Sequence, residues 1–112
     1  MTNYKQGDIV LLEFIFSERV GAKKRPALIL SSDIYHQSRQ EIIVAAITSN
    51  IKRNLVGDSM ISDWKKAGLP KPSIVTGIIQ TFKHNLIERQ LGSLSDQDYK
   101  TVQQNLKKAL AF

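Results

Sequence analysis

Gly7-Asp8-Ile9-Val10-Leu11-Leu12-Glu13-Phe14-Ile15-Phe16 decides the fold. It begins on a Gly-Asp turn signal, is rich in β-branched and aromatic residues, and reads as a first strand. Its apolar residues run almost without a break. That predicts burial on both faces, with a barrel interior on one side and other elements on the other. Ser17 to Lys24, which follows, is polar and charged around Gly21 and reads as an exposed hairpin loop. Arg25-Pro26-Ala27-Leu28-Ile29-Leu30-Ser31 is a second strand, with proline at its start, where a sheet tolerates it. Ser32 to Arg39 is a polar connection with room for a short helical turn. Glu41-Ile42-Ile43-Val44-Ala45-Ala46-Ile47-Thr48 is a third strand, ended by the turn residues Ser49-Asn50.

Beyond it, Ile51 to Val56 reads as a basic loop and Ser59-Met60-Ile61 as a short strand. Asp63 to Ala67 fits one helical turn, which Gly68, Pro70 and Pro72 end. Ser73 to Phe82 is a long strand in which Gly77 marks a bulge or sharp bend. Leu86 to Leu94 carries a last short strand. The C-terminal segment is a helix. Ser95 is its N-cap, with Asp98 three residues on as a variant capping box. Asp96 and Asp98 suit the positive end of the dipole, and Lys107 and Lys108 the negative end. Tyr99, Val102, Leu106, Ala109 and Leu110 form one apolar face. Many short strands followed by a terminal helix predict a mainly β chain with helices, an α+β fold, rather than a doubly wound one. Strands this apolar in so small a chain favour a closed or nearly closed barrel. With no repeat and no linker, residues 1–112 are expected to form one domain.

The chain's 112 residues suffice for one real core. Its net charge of +6 raises the odds of a polyanionic partner. The charge clusters at Arg19, Lys23, Lys24 and Arg25, at Lys52 and Arg53, and at Lys65, Lys66 and Lys71, largely in segments read as loops. There is no cysteine, so no disulfide framework and no cysteine zinc site. No leader-like apolar region opens the chain, and no apolar run approaches the ~20 residues of a membrane span. A soluble, cytoplasmic protein is expected.

No phosphate-cradling glycine motif and no Gly-x-Ser-x-Gly is present. His36 and His84 have no ligand partner at metal-like spacing, so no metal or other cofactor is expected. What remains is a basic segment, Lys23-Lys24-Arg25-Pro26, entering one strand, and Ile47-Thr48-Ser49-Asn50 leaving another.

In order and spacing, Gly7-Asp8-Ile9-Val10, Lys24-Arg25-Pro26-Ala27-Leu28-Ile29-Leu30 and Ile47-Thr48-Ser49 resemble the N-terminal signatures of MazF/PemK toxins. Gly68-Leu69-Pro70-Lys71-Pro72-Ser73-Ile74-Val75 is similar to that family's link into its long fourth strand. Leu91-Gly92-Ser93-Leu94 is similar to the segment before its last helix. The resemblance implies a small SH3-like β-barrel with a C-terminal helix. It also implies a metal-independent endoribonuclease that cuts single-stranded RNA, often mRNA, by attack of the ribose 2′-hydroxyl on the adjacent phosphate. Arg25 matches the family's catalytic arginine and Thr48 its active-site threonine or serine. Arg19, Lys23 and Lys24 would steer phosphates, with Ser49, Asn50 and Gln80 completing the expected RNA-contacting set. Phe16 or Tyr35 could stack on bases. The resemblance further implies a homodimer and a cognate antitoxin with an acidic tail.

One departure stands out. Family members often carry charged residues in the strand matching Ser73–Phe82, whereas here only Ser73, Thr76, Gln80 and Thr81 are polar. The general base is left to Glu18, His84 or a partner subunit, or cleavage rests on positioning and charge. The other reading of the same barrel is a non-catalytic binding module, such as a gyrase-poisoning toxin or an RNA-binding domain.

Overall fold

The computed structural model describes residues 4–17 and 21–112, the side chains at 15–17 and 22 apart. Arg19, Glu18 and the Phe16 side chain, all candidates above, lie outside the described residues. The elements in chain order are β1 (Asp8–Ser17), β2 (Gly21–Ile29), α1 (Asp33–Arg39), β3 (Glu41–Thr48), β4 (Ser59–Met60), β5 (Ile74–Lys83), a 3-10 turn (His84–Leu86), β6 (Arg89–Ser93) and α2 (Asp96–Leu110). The strands form one sheet in the order β4-β5-β3-β2-β1-β6. Every neighbouring pair is antiparallel.

The sheet is apolar on both faces, as the unbroken hydrophobic run of β1 requires. Ile9, Leu28, Ala45, Ile47 and Val75 face one cluster, which Ile61, Ala67 and Leu69 from the β4–β5 connection and Val102 and Leu106 from α2 complete. Val10, Leu12, Phe14, Ala27, Ile29, Ile42, Val44 and Ala46 form the second. Here the sheet curls on itself. Phe14 of β1 meets Phe82 of β5 edge to face, ring centroids 5.2 Å apart, although β2 and β3 lie between their strands in the sheet. The fold is thus a curled antiparallel half-barrel with a helix on its outer face.

Two glycines close the seam between the ends of the sheet. A Cβ on Gly92 of β6 would stand 2.1 Å from the Ala67 carbonyl oxygen, and one on Gly68 2.0 Å from that of Leu91. The chain leaving β4 therefore lies backbone against backbone on β6. Only glycine allows that approach, and Gly68 also holds φ +88.

Several boundaries differ from the sequence reading. Lys23 and Lys24 are strand, not loop, because β2 starts at Gly21, ahead of Arg25, and pairs with β1 along its length. Glu13 directly opposite Lys24 makes this charged stretch compatible with a ladder. Leu30 and Ser31 fall beyond β2. Ser31 Oγ accepts the Ile43 amide and bonds His36 Nε2 at 2.6 Å, tying α1 to β3. The short strand expected within Leu86–Leu94 is β6, which follows a 3-10 turn ending at Leu86. Gly77 does mark a bulge: between Ala45 and Ile47 the β3–β5 register slips. Thr76 Oγ1 fills the gap by donating to the Ala46 carbonyl and accepting the Ile78 amide. Ser95 caps α2, but Asp98 does not complete a capping box. Its buried carboxylate accepts the amides of Ser62 and Asp63 and so clamps α2 to the β4–β5 connection. Leu110, read as part of the apolar face, is half-exposed.

Candidate active site

Arg25 lies in β2 directly opposite Leu12 of β1. Between β2 and β3 the ladder runs Ile29↔Val44, Leu28↔Ala45, Ala27↔Ala46. It stops there beside Pro26, which has no N–H to give. Carried two residues on, the same register brings Arg25 level with Thr48. Directly opposed residues share a face, and alternation gives Arg25 and Thr48 the face of Ala27 and Ala46. Lys23, opposite Phe14, falls on that face too. Arg25 and Thr48 are both partly buried, and Lys23 is exposed.

Thr48 ends β3, and its hydroxyl starts the turn that follows. Thr48 Oγ1 accepts the Asn50 amide at 3.1 Å, and Asn50 Oδ1 accepts the Lys52 amide at 3.3 Å. Both are local side-chain turns of the kind that serine, threonine and asparagine favour. With Oγ1 already accepting, the Thr48 hydroxyl proton is available to a neighbouring acceptor. Ser49 and Asn50 are exposed beside it.

Other candidates stand apart from this pair. Lys24 alternates to the opposite face from Arg25 and bridges to Glu88 at 2.8 Å, a hydrogen bond that, with the Glu88 charge, raises its pKa. This pair is exposed and therefore weak. Gln80 is paired with Val44, four residues or about 13 Å along β3 from Thr48. His84 Nδ1 bonds the Gln40 carbonyl oxygen at 2.9 Å. Gln40 precedes Glu41 at the far end of β3, about 20 Å or more from Thr48. A base role for His84 beside Thr48 of its own chain is thereby excluded. Tyr35 is engaged by Arg39, whose guanidinium lies 5.3 Å from its ring centroid.

Two acidic residues near the site went unremarked in the sequence. Glu88 anchors Lys24. Asp58 holds Arg53 through Nε at 2.8 Å and Nη2 at 3.2 Å. The Lys52–Arg53 cluster is therefore not a pair of equivalent surface cations. The five-residue spacing of Arg53 and Asp58 across a short turn containing Gly57 is the signal the sequence offers.

A curled half-barrel with one terminal helix and an arginine–threonine strand end defines a MazF-like α+β protein. The chain belongs to the family described as PemK-like, MazF-like toxin of type II toxin-antitoxin system, whose model matches residues 5–110. Among solved structures it is similar to an endoribonuclease in complex with its cognate antitoxin from Mycobacterial species (14% identity, 97% of this chain and 96% of that one, TM-score 0.77). It is also similar to the Mycobacterium tuberculosis toxin MazF-mt6 (24% identity, 94% and 97%, TM-score 0.75). MazE-MazF from Deinococcus radiodurans gives 18% identity, 99% of each chain and a TM-score of 0.77. No curated protein sequence matches the chain.

Proposed function

We propose that this toxin-family member is a metal-independent, sequence-specific endoribonuclease that cleaves single-stranded RNA, with Arg25 and Thr48 as its catalytic residues. The reading is supported by the β2–β3 register, whose last pair is Ala27↔Ala46 and which, carried two residues on, sets Arg25 level with Thr48 on one face. In the proposed step a ribose 2′-oxygen attacks the adjacent phosphorus and the P–O5′ bond breaks. The 2′-hydroxyl proton passes to the base or to water, the leaving 5′-oxygen takes one from water, and the products are a 2′,3′-cyclic phosphate and a free 5′-hydroxyl. Negative charge grows on the non-bridging oxygens, where the planar fork of Arg25 offers paired donors. The Thr48 hydroxyl, aimed by the Asn50 amide, donates to the same phosphate or holds the 2′-hydroxyl in line. Lys23, Ser49 and Asn50 border the scissile phosphate. Arg19, Lys24 and Gln80 contact RNA further along its path, Lys24 exchanging Glu88 for a phosphate. The base comes from Glu18 or a partner subunit in a homodimer, or the reaction proceeds on positioning and charge. The basic surface also suits the acidic tail of a cognate antitoxin, and the protein acts in the cytoplasm.

The test is incubation of single-stranded RNA with the purified chain in EDTA. Cutting that leaves cyclic-phosphate ends, and that falls about 10²–10³-fold in Arg25→Ala, is the expected result. No cutting at any dose, with inhibition of gyrase or salt-sensitive RNA binding in its place, returns the protein to the binding-module reading.

A further inference from the structure

Lys52 and Arg53 are adjacent cations with different surroundings. Arg53 is clamped on Asp58, whose side chain is only 4% exposed. That carboxylate also accepts the Leu55 amide at 3.1 Å, and the Gly77 amide of the β5 bulge is close enough to favour its charge. The Asp58 carbonyl oxygen accepts from Asn105 Nδ2 of α2 at 3.2 Å, and the same amide group donates to Ser59 Oγ at 2.7 Å. Gly57, at φ +97, is so close to Gly77 and Ala109 that a Cβ there would meet each at 3.3 Å. The Arg53–Asp58 pair is thus fixed to β5 and α2. Upstream, the Lys52 amide holds Asn50 Oδ1 and the Asn50 amide holds Thr48 Oγ1. An unbroken series of ties runs from α2 to the hydroxyl assigned above to the scissile phosphate. Drawing Arg53 away to meet a phosphate would strand a buried carboxylate, which proteins avoid. Lys52 is exposed and meets no such obstacle.

We propose that Arg53 and Asp58 are positioning residues that fix loop 49–58 and thereby orient Thr48, while Lys52 is the residue of this pair that meets the RNA backbone. The inference rests on the nuclease reading, and the experiment separates the two. Amide hydrogen exchange and NMR shifts report the tether without any reaction. Single-turnover cleavage, and binding of an RNA blocked at its 2′-oxygens, report the function. In Arg53→Ala and Asp58→Asn, exchange at Leu55 and Gly77 rises and the Thr48 and Asn50 resonances move. The saturating cleavage rate falls about tenfold while RNA affinity stays within about twofold. Arg53→Lys, which keeps a donor for Asp58 and puts less strain on folding, recovers much of the rate. Lys52→Ala does the reverse: affinity drops, its salt dependence flattens and the saturating rate holds. Arg39→Ala, which breaks an ion pair with Glu41 at the other end of β3, changes neither. Unmoved Thr48 and Asn50 resonances in Asp58→Asn overturn the proposal. So does an Arg53→Ala defect confined to affinity and salt slope, which would make Arg53 a phosphate contact. A wild-type chain that cuts no RNA overturns the nuclease reading instead, whatever the resonances do.

Discussion

At the scale of single residues, Thr48 separates what hydroxyl chemistry supplies from what strand packing supplies. Its Oγ1 accepts one amide, at 3.1 Å, and keeps its proton. Thr48→Ser preserves both roles and is expected to stay within several-fold of wild-type cleavage. Thr48→Val keeps the β-branched shape and loses the hydroxyl, so the rate should fall about 100-fold with folding intact. Parallel cleavage assays and circular dichroism distinguish the two cases. Asp58 offers a check by pH. Burial pushes its carboxyl up, but the Arg53 hydrogen bonds, the Leu55 and Gly77 amides and the Arg53 charge outweigh this, so it lies below its ordinary value of 3.8. A depressed folded value means that the unfolded chain takes up the proton first as pH falls. The stabilisation is therefore complete above about pH 5 and is lost as pH drops through the folded value. Urea midpoints measured from pH 6 down to pH 2 should fall more steeply for wild type than for Asp58→Asn. The candidate pair Arg25 and Thr48 was legible in the sequence through family signatures. The partners Asp58 and Glu88 were not, because a carboxylate's pairing depends on which strands the fold brings beside it.

At the scale of elements, apolar runs predicted strands well and charged stretches predicted them poorly. β1, β3 and β5 were readable because burial on one or two faces leaves a hydrophobic pattern, and the Ser95 cap because a serine hydroxyl accepting the Asp98 amide is local chemistry. The first half of β2 was not, since its stability comes from pairing with β1 rather than from its own residues. The seam shows a third kind of information. Gly68 looked like a breaker and Gly92 like an ordinary strand residue, but their lack of a side chain is what lets the β4–β5 connection rest on β6. Gly92→Ala would drive a methyl into the Ala67 carbonyl, an immovable backbone group. It should cost at least ~2–3 kcal/mol of unfolding free energy. Gly21→Ala has nothing within 4 Å of the added carbon, so only its φ of +74 opposes it, at about 1 kcal/mol. Urea titrations of both variants should give these values in that order. Equal losses would mean that the seam is looser than a 2.1 Å approach implies.

Across the whole molecule, a net charge of +6 says only that polyanions are attracted, and the fold decides where. Ion pairs take up Lys24, Arg39 and Arg53. Lys23 and Lys52 stay exposed near Arg25 and Thr48. Lys71 does too, three residues before Ile74, the β5 partner of Thr48. Lys107 and Lys108 occupy the last turn of α2. If an RNA short enough to cover only the Arg25–Thr48 end is met by Lys23, Arg25, Lys52 and Lys71, about four counterion equivalents are released. The slope of log affinity against log salt should then be near −2.8, a roughly 50-fold weakening between 50 and 200 mM salt. Lys71→Ala should make that slope shallower by about 0.7, and Lys107→Ala combined with Lys108→Ala should leave it unchanged. Titrations of fluorescent single-stranded RNA at four salt concentrations measure each slope. A slope that answers to the α2 lysines and ignores Lys71 would put the nucleic acid on the helix. The β2–β3 register would then have no bearing on where RNA is held.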